Sequence, residues 1–453
     1  MNTLLLLILS QASIVTTTGY VDTRLQGAFT QFEGTPAVTL LGEANAQIKL
    51  TPHEKVKFFA DTSLFWQGAW ELQGEEKDLP QYRPSVVVSE LYADLPLQDH
   101  FRLLVGKKRI VWGAGLSFNP TDFLNPPKDP TDPTFQRAGA WLAEAEWGFE
   151  RVALSAVVAG KVTRQYAGLP TGLVVSPDLQ TAESVRGAST DDRDDDAHFA
   201  FTSRLYLLLG DVDINLIYGF TNLYADAFRN KSRGGLSLSR VFGDFEVHAE
   251  AQLYTGSARL VPDGACVDLP AKCLFNGTPV VRRSYLDDTF LNTRAIVGFR
   301  YQFGDNGMFA VEYYYNGEGQ DAQGFERLAK LIVQNPALAQ AALSGSTNDP
   351  GSPQKFTLEA FRRHYLTVQF SQPQFVDDWN FSFTALVGLE DLSMQLVPQL
   401  QWTPFEWLQL TAAMYVPVTG VEELGVKVGE ATYGQFSLSP FKTRMLLQAR
   451  AFF

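Results

Sequence analysis

In the stretch FEVHAEAQLY (245–254), Glu246, His248 and Glu250 stand at alternate positions. On an extended chain, alternate side chains share a face. Two carboxylates flanking an imidazole could ligate a metal or relay protons. The same three also suit the plain polar wall of a water-filled cavity, where a histidine needs no chemistry. The remaining histidines add nothing catalytic. His53 and His100 fall in short turns, and none sits in a recognisable motif with a serine. Hydrolysis would need a nucleophile, a base and an orienting group together. We therefore expect no enzyme, no cofactor and no metal centre.

Other candidate groups are equally sparse. Cys266 and Cys273, in CVDLPAKC, have neither zinc-site spacing nor a nearby histidine. A disulfide across a short loop is expected if the compartment is oxidising, with free thiols as the alternative. The run DDRDDDAH (191–198) reads as a solvated charge cluster. Its alternative is a divalent-cation site or a bridge to lipopolysaccharide. The chain has 453 residues and a formal net charge of −13. That balance argues against nucleic acid, which needs a basic face.

The elements that carry these residues are legible from a period of two. FEVHAEAQLY puts Phe245, Val247, Ala249, Ala251 and Leu253 opposite its charged trio. NTRAIVGFRYQ (292–302) sets Ala295, Val297, Phe299 and Tyr301 against Arg294 and Arg300. TLLGEANAQIKL (39–50), VKFFADTSLFWQ (56–67) and AWLAEAEWGF (140–149) alternate in the same way. Such runs are longer than the usual globular strand of about 5–6 residues. They fit a tilted bilayer-spanning strand of about 9–11 residues. A large soluble β-sandwich is the alternative. One apolar face and one wet face, with few helices to cover either, predict an all-β, antiparallel transmembrane barrel.

The first residues, MNTLLLLILSQAS, carry an apolar run (Leu4–Leu9) and a small-x-small site at Ser10-Gln11-Ala12, without a basic start. They read as a signal peptide over 1–12, leaving 13–453 as one barrel domain. A short apolar first strand is the alternative. Short connections (51–54, 96–100, 148–150, 210–211, 243–244, 304–307, 372–378 and 403–406) alternate with long ones near 70–84, 113–138, 160–196, 256–290, 316–362 and 415–440. Counting through this ladder predicts about 18 strands, with 16 as the alternative. GYVDTRLQGAF (19–29) and ATYGQFSLS (431–439) are each ambiguous between strand and loop. In QGFERLAKLIVQNPALAQAALSG (323–345), Phe325, Leu328, Leu331 and Ile332 recur at helical spacing, so one long loop carries a helix. It either caps the pore or folds back on neighbouring loops.

The chain ends RMLLQARAFF (444–453), with Met445, Leu447, Ala449, Ala451 and Phe453 on one face. This closing strand resembles the C-terminal signature of bacterial outer-membrane β-barrel proteins. GKKRIVWGAGLSFNPTDFLNP (106–126) is similar to a segment of some porin-like proteins, in which a basic strand ending in WG leads into an Asn-Pro turn. The resemblance implies an outer-membrane location, contact with the lipid bilayer and lipopolysaccharide, short periplasmic turns and long extracellular loops. It also implies recognition of Phe453 by the assembly machinery and, in common with general porins, a homotrimer. The expected activity is passive, weakly selective diffusion of small hydrophilic solutes. A surface binding or adhesion barrel is the alternative, with a barrel-wall hydrolase behind it.

On that frame, parity places Lys57, Arg102, Lys108, Arg151, Arg204, Arg294, Arg300, Arg444 and Arg450 on the pore-lining face. It also places there Glu43, Asp61, Glu90, Asp94, Glu144, Glu146, Glu246, His248, Glu250 and Glu312. Both signs are well represented. Either opposed charged walls set up a transverse field, or neighbouring strands pair their charges, as Arg294 and Arg300 would with Glu246 and Glu250. The five prolines after Trp112 forbid regular structure. That segment, with Phe118, Asp122, Lys128, Asp129, Asp132 and Arg137, is expected either to fold into the lumen and constrict it or to pack outward on its neighbours.

Overall fold

The computed structural model describes residues 14–30, 36–53, 56–71, 85–125, 139–160, 173–175, 199–221, 231–255, 260–262, 281–283, 291–304, 306–334, 362–438 and 441–453. Eighteen long strands form its wall. They are β1 (Ile14–Thr30), β2 (Pro36–His53), β3 (Val56–Glu71), β4 (Ser85–Gln98), β5 (Phe101–Lys108) and β6 (Ala140–Gly148). Next come β7 (Val152–Ala159), β8 (Ala200–Leu209), β9 (Val212–Thr221), β10 (Lys231–Phe242), β11 (Phe245–Thr255) and β12 (Leu291–Phe303). The last six are β13 (Gly307–Asn316), β14 (His364–Val376), β15 (Trp379–Gly388), β16 (Met394–Phe405), β17 (Leu408–Val418) and β18 (Phe441–Phe452).

Each strand pairs antiparallel with its sequence neighbour, and β1 pairs with β18, so the sheet closes on itself. Closure leaves no edge to recruit another strand. At the seam, Gly19 and Phe453 exchange backbone hydrogen bonds of 3.1 and 3.0 Å. Gly19 is needed here, because a Cβ would meet the Phe453 ring at 2.6 Å. A short extra strand, Leu173–Val175, pairs with Val86–Val88 of β4.

The alternation sorts the two faces. Val21, Leu25, Val247, Leu253, Val297 and Leu447 are exposed on the outer face. Their neighbours Asp22, Arg24, His248, Glu250, Gln252, Ile296 and Gln448 are buried on the inner one. This reverses the soluble pattern and matches a wall with lipid outside and water inside. Rings mark one outer boundary: Trp379 stacks on Trp402 at 5.3 Å, and Phe405 on Trp407 at 5.3 Å. Two-residue turns join many hairpins at this end. Gly210 (φ +62°) and Gly243 (φ +60°) supply the left-handed backbone such turns require.

Both ambiguous segments resolve. GYVDTRLQGAF belongs to β1, paired along its length with β2. ATYGQFSLS is not a wall strand. Ala431–Tyr433 forms a small hairpin with Val426–Val428, and Phe436–Leu438 is a single 3-10 turn. The two outcomes offset each other, and the count stands at 18. In the long loop after β13, helix α1 (Ala322–Gln334) buries Phe325, Leu328, Ala329, Leu331 and Ile332. It packs on the 426–428 strand, the 436–438 turn and residues 260–262, so it folds back on neighbouring loops. Residues 1–13, the acidic run 191–198, Cys266 and Cys273 lie outside the described residues.

Candidate functional site

The segment 109–125, after β5, runs along the inside of the barrel. Its path is set by backbone amides rather than by side-chain charge. Ala114 N, Gly115 N (2.7 Å) and the Thr121 hydroxyl (2.8 Å) donate to the Glu250 carboxylate of β11. Leu116 N (2.6 Å) and Ser117 N (2.7 Å) donate to Glu312 of β13. Two buried carboxylates thus satisfy a cluster of donors that a proline-rich chain cannot place in a ladder. A Cβ on Gly113 would lie 2.5 Å from Glu250 Oε1, which fixes glycine there.

Apolar side chains finish the attachment. Phe118 stacks on Tyr314 of β13 at 4.0 Å between centroids, with planes 9° apart. Ile110, Trp112, Phe123 and Leu124 join Leu104, Leu142, Val157 and Ile217 in one buried cluster. Phe123 fits over Gly219 and Gly235, where a Cβ would approach its ring to 2.6 and 3.1 Å. Asp122 and Asn125 lock the turn, with Asn125 Nδ2 donating to Asp122 Oδ1 at 2.8 Å and to the Ile110 carbonyl at 2.5 Å. The segment therefore touches wall strands from β5 round to β14, where Gln369 Nε2 reaches the Ser117 hydroxyl at 3.3 Å. Lys128, Asp129, Asp132 and Arg137 lie outside the described residues.

Glu246, His248 and Glu250 share the inner face of β11, but each has a different partner. Glu246 takes Arg300, His248 Nε2 faces Glu312 Oε1 at 2.8 Å, and Glu250 holds the inner segment. Cross-strand pairing governs much of the remaining charge. Arg102 is bidentate on Asp94 (2.6 and 2.8 Å), and Arg204 reaches Glu146 at 3.5 Å. Arg204 also lies over the Trp112 ring, and Lys108 over Tyr92, at 5.2 and 5.1 Å. Asp61 accepts from Asn45 (2.6 Å) and Gln47 (3.0 Å). Lys57 stands opposite Asp94 in register, Glu144 is buried, and Arg444 covers the Tyr415 ring at 4.3 Å. Glu90 accepts the Arg109 amide at 2.9 Å.

Two sequence expectations are corrected. Arg294 pairs with Glu318, in the loop after β13, and not with Glu250, whose carboxylate is taken by the inner segment. Arg151 is exposed in the turn between β6 and β7 rather than on the wall. The sequence reading also missed a cluster at the seam. Asp22 Oδ2 receives Arg450 Nη2 at 2.8 Å and the Gln448 amide, while Arg24 spans Asp22 Oδ1 (3.0 Å) and Glu43 Oε2 (2.7 Å). Tyr20 and Ser63 hydroxyls each donate to Glu43 Oε1 at 2.8 Å.

Comparison with solved structures places this architecture. The crystal structure of Pseudomonas aeruginosa OccK7 (OpdD) aligns with a TM-score of 0.51 at 8% identity, over 97% of this chain and 99% of that one. The fold is porin-like. Acinetobacter baumannii OccAB4 aligns with a TM-score of 0.49 at 9% identity, over 98% of this chain and 99% of that one. No family model matches the sequence, and no curated protein matches it at the sequence level. The porin-like barrel thus has a closed wall, a wet interior and a chain segment laid across that interior.

Proposed function

We propose that this protein is a passive channel of the bacterial outer membrane for small hydrophilic solutes, with weak ion selectivity. The observation that carries this reading is the segment 109–125, bonded to Glu250 and Glu312 inside a closed, polar-lined barrel. A barrel of this strand number encloses a water-filled space, and a segment crossing it sets the width. The porin-like fold supports the same reading. Weak selectivity is supported by the pairing of inner-wall charge, since neutralised pairs leave little net field along the path. Hydrolysis is the poorer reading, because His248 faces a carboxylate and not a hydroxyl nucleophile. In this reading the two-residue turns face the periplasm, residues 1–12 are a secretion signal, and Phe453 marks the strand recognised during assembly.

The test is conductance in planar bilayers. Purified protein should give discrete current steps and a small reversal potential in a KCl gradient. Replacing residues 114–124 by a short Gly-Ser linker should raise the step size. A silent bilayer would refute the channel, and an unchanged step size would refute the constriction.

A further inference from the structure

Four consecutive wall strands, β14 to β17, contain no Asp, Glu, Lys or Arg, although charged residues occur in every other strand except β7. Their inner face is nevertheless polar. In one row across the wall, Ser371 stands beside Ser382 and Ser382 beside Gln399. In the next, Asn380 stands beside Gln401 and Gln401 beside Thr411. Neighbouring strands lie about 4.8 Å apart, and same-face residues along a strand about 6.8 Å. These six groups, spread over four strands, therefore cover a patch of about 14 by 7 Å.

Each amide offers a donor and an acceptor, and each hydroxyl does both. Ser371, Ser382, Asn380, Gln399 and Gln401 are partly exposed on that inner face. The capacity offered to a solute is that of these partly exposed amides and hydroxyls, while Gln399 Oε1 is itself covered. A carboxylate or ammonium gains no counter-charge here and loses hydration on approach. A neutral polyol can donate and accept at once, matching the wall group for group.

We infer that the β14–β17 wall is a binding track for neutral polyhydroxylated solutes, of the size of a mono- or disaccharide. The inference rests on the channel reading and names a substrate class for it. The adjoining sector, beyond β18, fits the same division of labour, since Asp22, Arg24, Glu43 and Arg450 are bonded to one another at the seam.

Uptake into proteoliposomes tests it, with glucose, gluconate and glucosamine sharing one skeleton at three charges. Glucose uptake should saturate and exceed that of both charged analogues. In Gln399→Leu/Gln401→Leu, losing about two neutral hydrogen bonds should raise the half-saturating glucose concentration about tenfold. Gln399→Glu keeps the shape and should turn the preference toward glucosamine, which covers the case in which the double variant fails to fold. Linear glucose uptake, or faster gluconate uptake, in a protein that conducts KCl would overturn the inference alone. Absence of both uptake and conductance would overturn the channel reading and the inference with it.

Discussion

His248 and Glu312 lie on β11 and β13, which are not hydrogen-bonded neighbours, yet their side chains meet at 2.8 Å across Gly298 of the strand between. The glycine makes the bridge possible. A Cβ there would sit 2.7 Å from Glu312 Cγ, 2.7 Å from the Val311 carbonyl and 2.9 Å from His248 Nε2. The bridge in turn aims Glu312 at the amides of Leu116 and Ser117.

Gly298→Ala is therefore expected to disturb the inner segment from a distance. The added methyl forces a shift in a packed site, costing about 1–3 kcal/mol. Thermal unfolding in detergent should show the loss. Current traces should show more flicker than the parent, because the Glu312 carboxylate no longer holds one position. A variant as quiet and as stable as the parent would mean that the bridge positions nothing.

Removing the latches themselves has a larger effect on current than on folding. Glu250→Ala with Glu312→Ala leaves the amides of Ala114, Gly115, Leu116 and Ser117 without acceptors. Each buried orphan costs about 1–3 kcal/mol, so the segment leaves the wall for water instead of staying unpaired. The barrel ladder is untouched. Heat-modifiable migration on gels should be kept, while single-channel conductance changes.

Phe118 tests the aromatic half of the same attachment. Its stack on Tyr314 is worth about 0.5–1.5 kcal/mol beyond the area it buries. Phe118→Leu keeps most of the apolar area and should weaken the attachment slightly. Phe118→Ser should act like the double latch variant. Equal conductance in both would place the ring outside the path.

The legibility of this barrel follows from what a period of two can encode. Strong alternation, as in FEVHAEAQLY, fixed the face of every residue on β11 because lipid and water lie on opposite sides. β1 is ambiguous in sequence because its outer face carries Gly19, Thr23 and Gly27, which hardly register as apolar, and this leaves Asp22 and Arg24 without an assigned face. The latch was invisible for another reason. Most of its donors are the main-chain amides of residues 114–117, which carry no sequence signal, and the Thr121 hydroxyl adds another, so only the composition of the loop hints at an inward path. Parity pairs Arg294 with a wall neighbour because it cannot see that the loop residue Glu318 reaches back.

The seam cluster yields the sharpest prediction about selectivity. Asp22 is fully buried and faces Arg24 and Arg450, so it cancels positive charge where β1 meets β18. Asp22→Asn keeps the shape and some of the hydrogen bonds but leaves Arg24 with Glu43 alone and removes the carboxylate that Arg450 faces. Breaking a buried pair in this way costs about 3–5 kcal/mol, to be read from denaturant midpoints. The freed positive charge should also shift the reversal potential in a KCl gradient toward chloride. Arg450→Gln removes the opposite charge and should shift it toward potassium, with Asp22 still held by Arg24. Two shifts of opposite sign would put the seam beside the ion path. If both variants lose stability while the reversal potential stays fixed, the cluster serves barrel closure alone, and selectivity is set elsewhere on the wall.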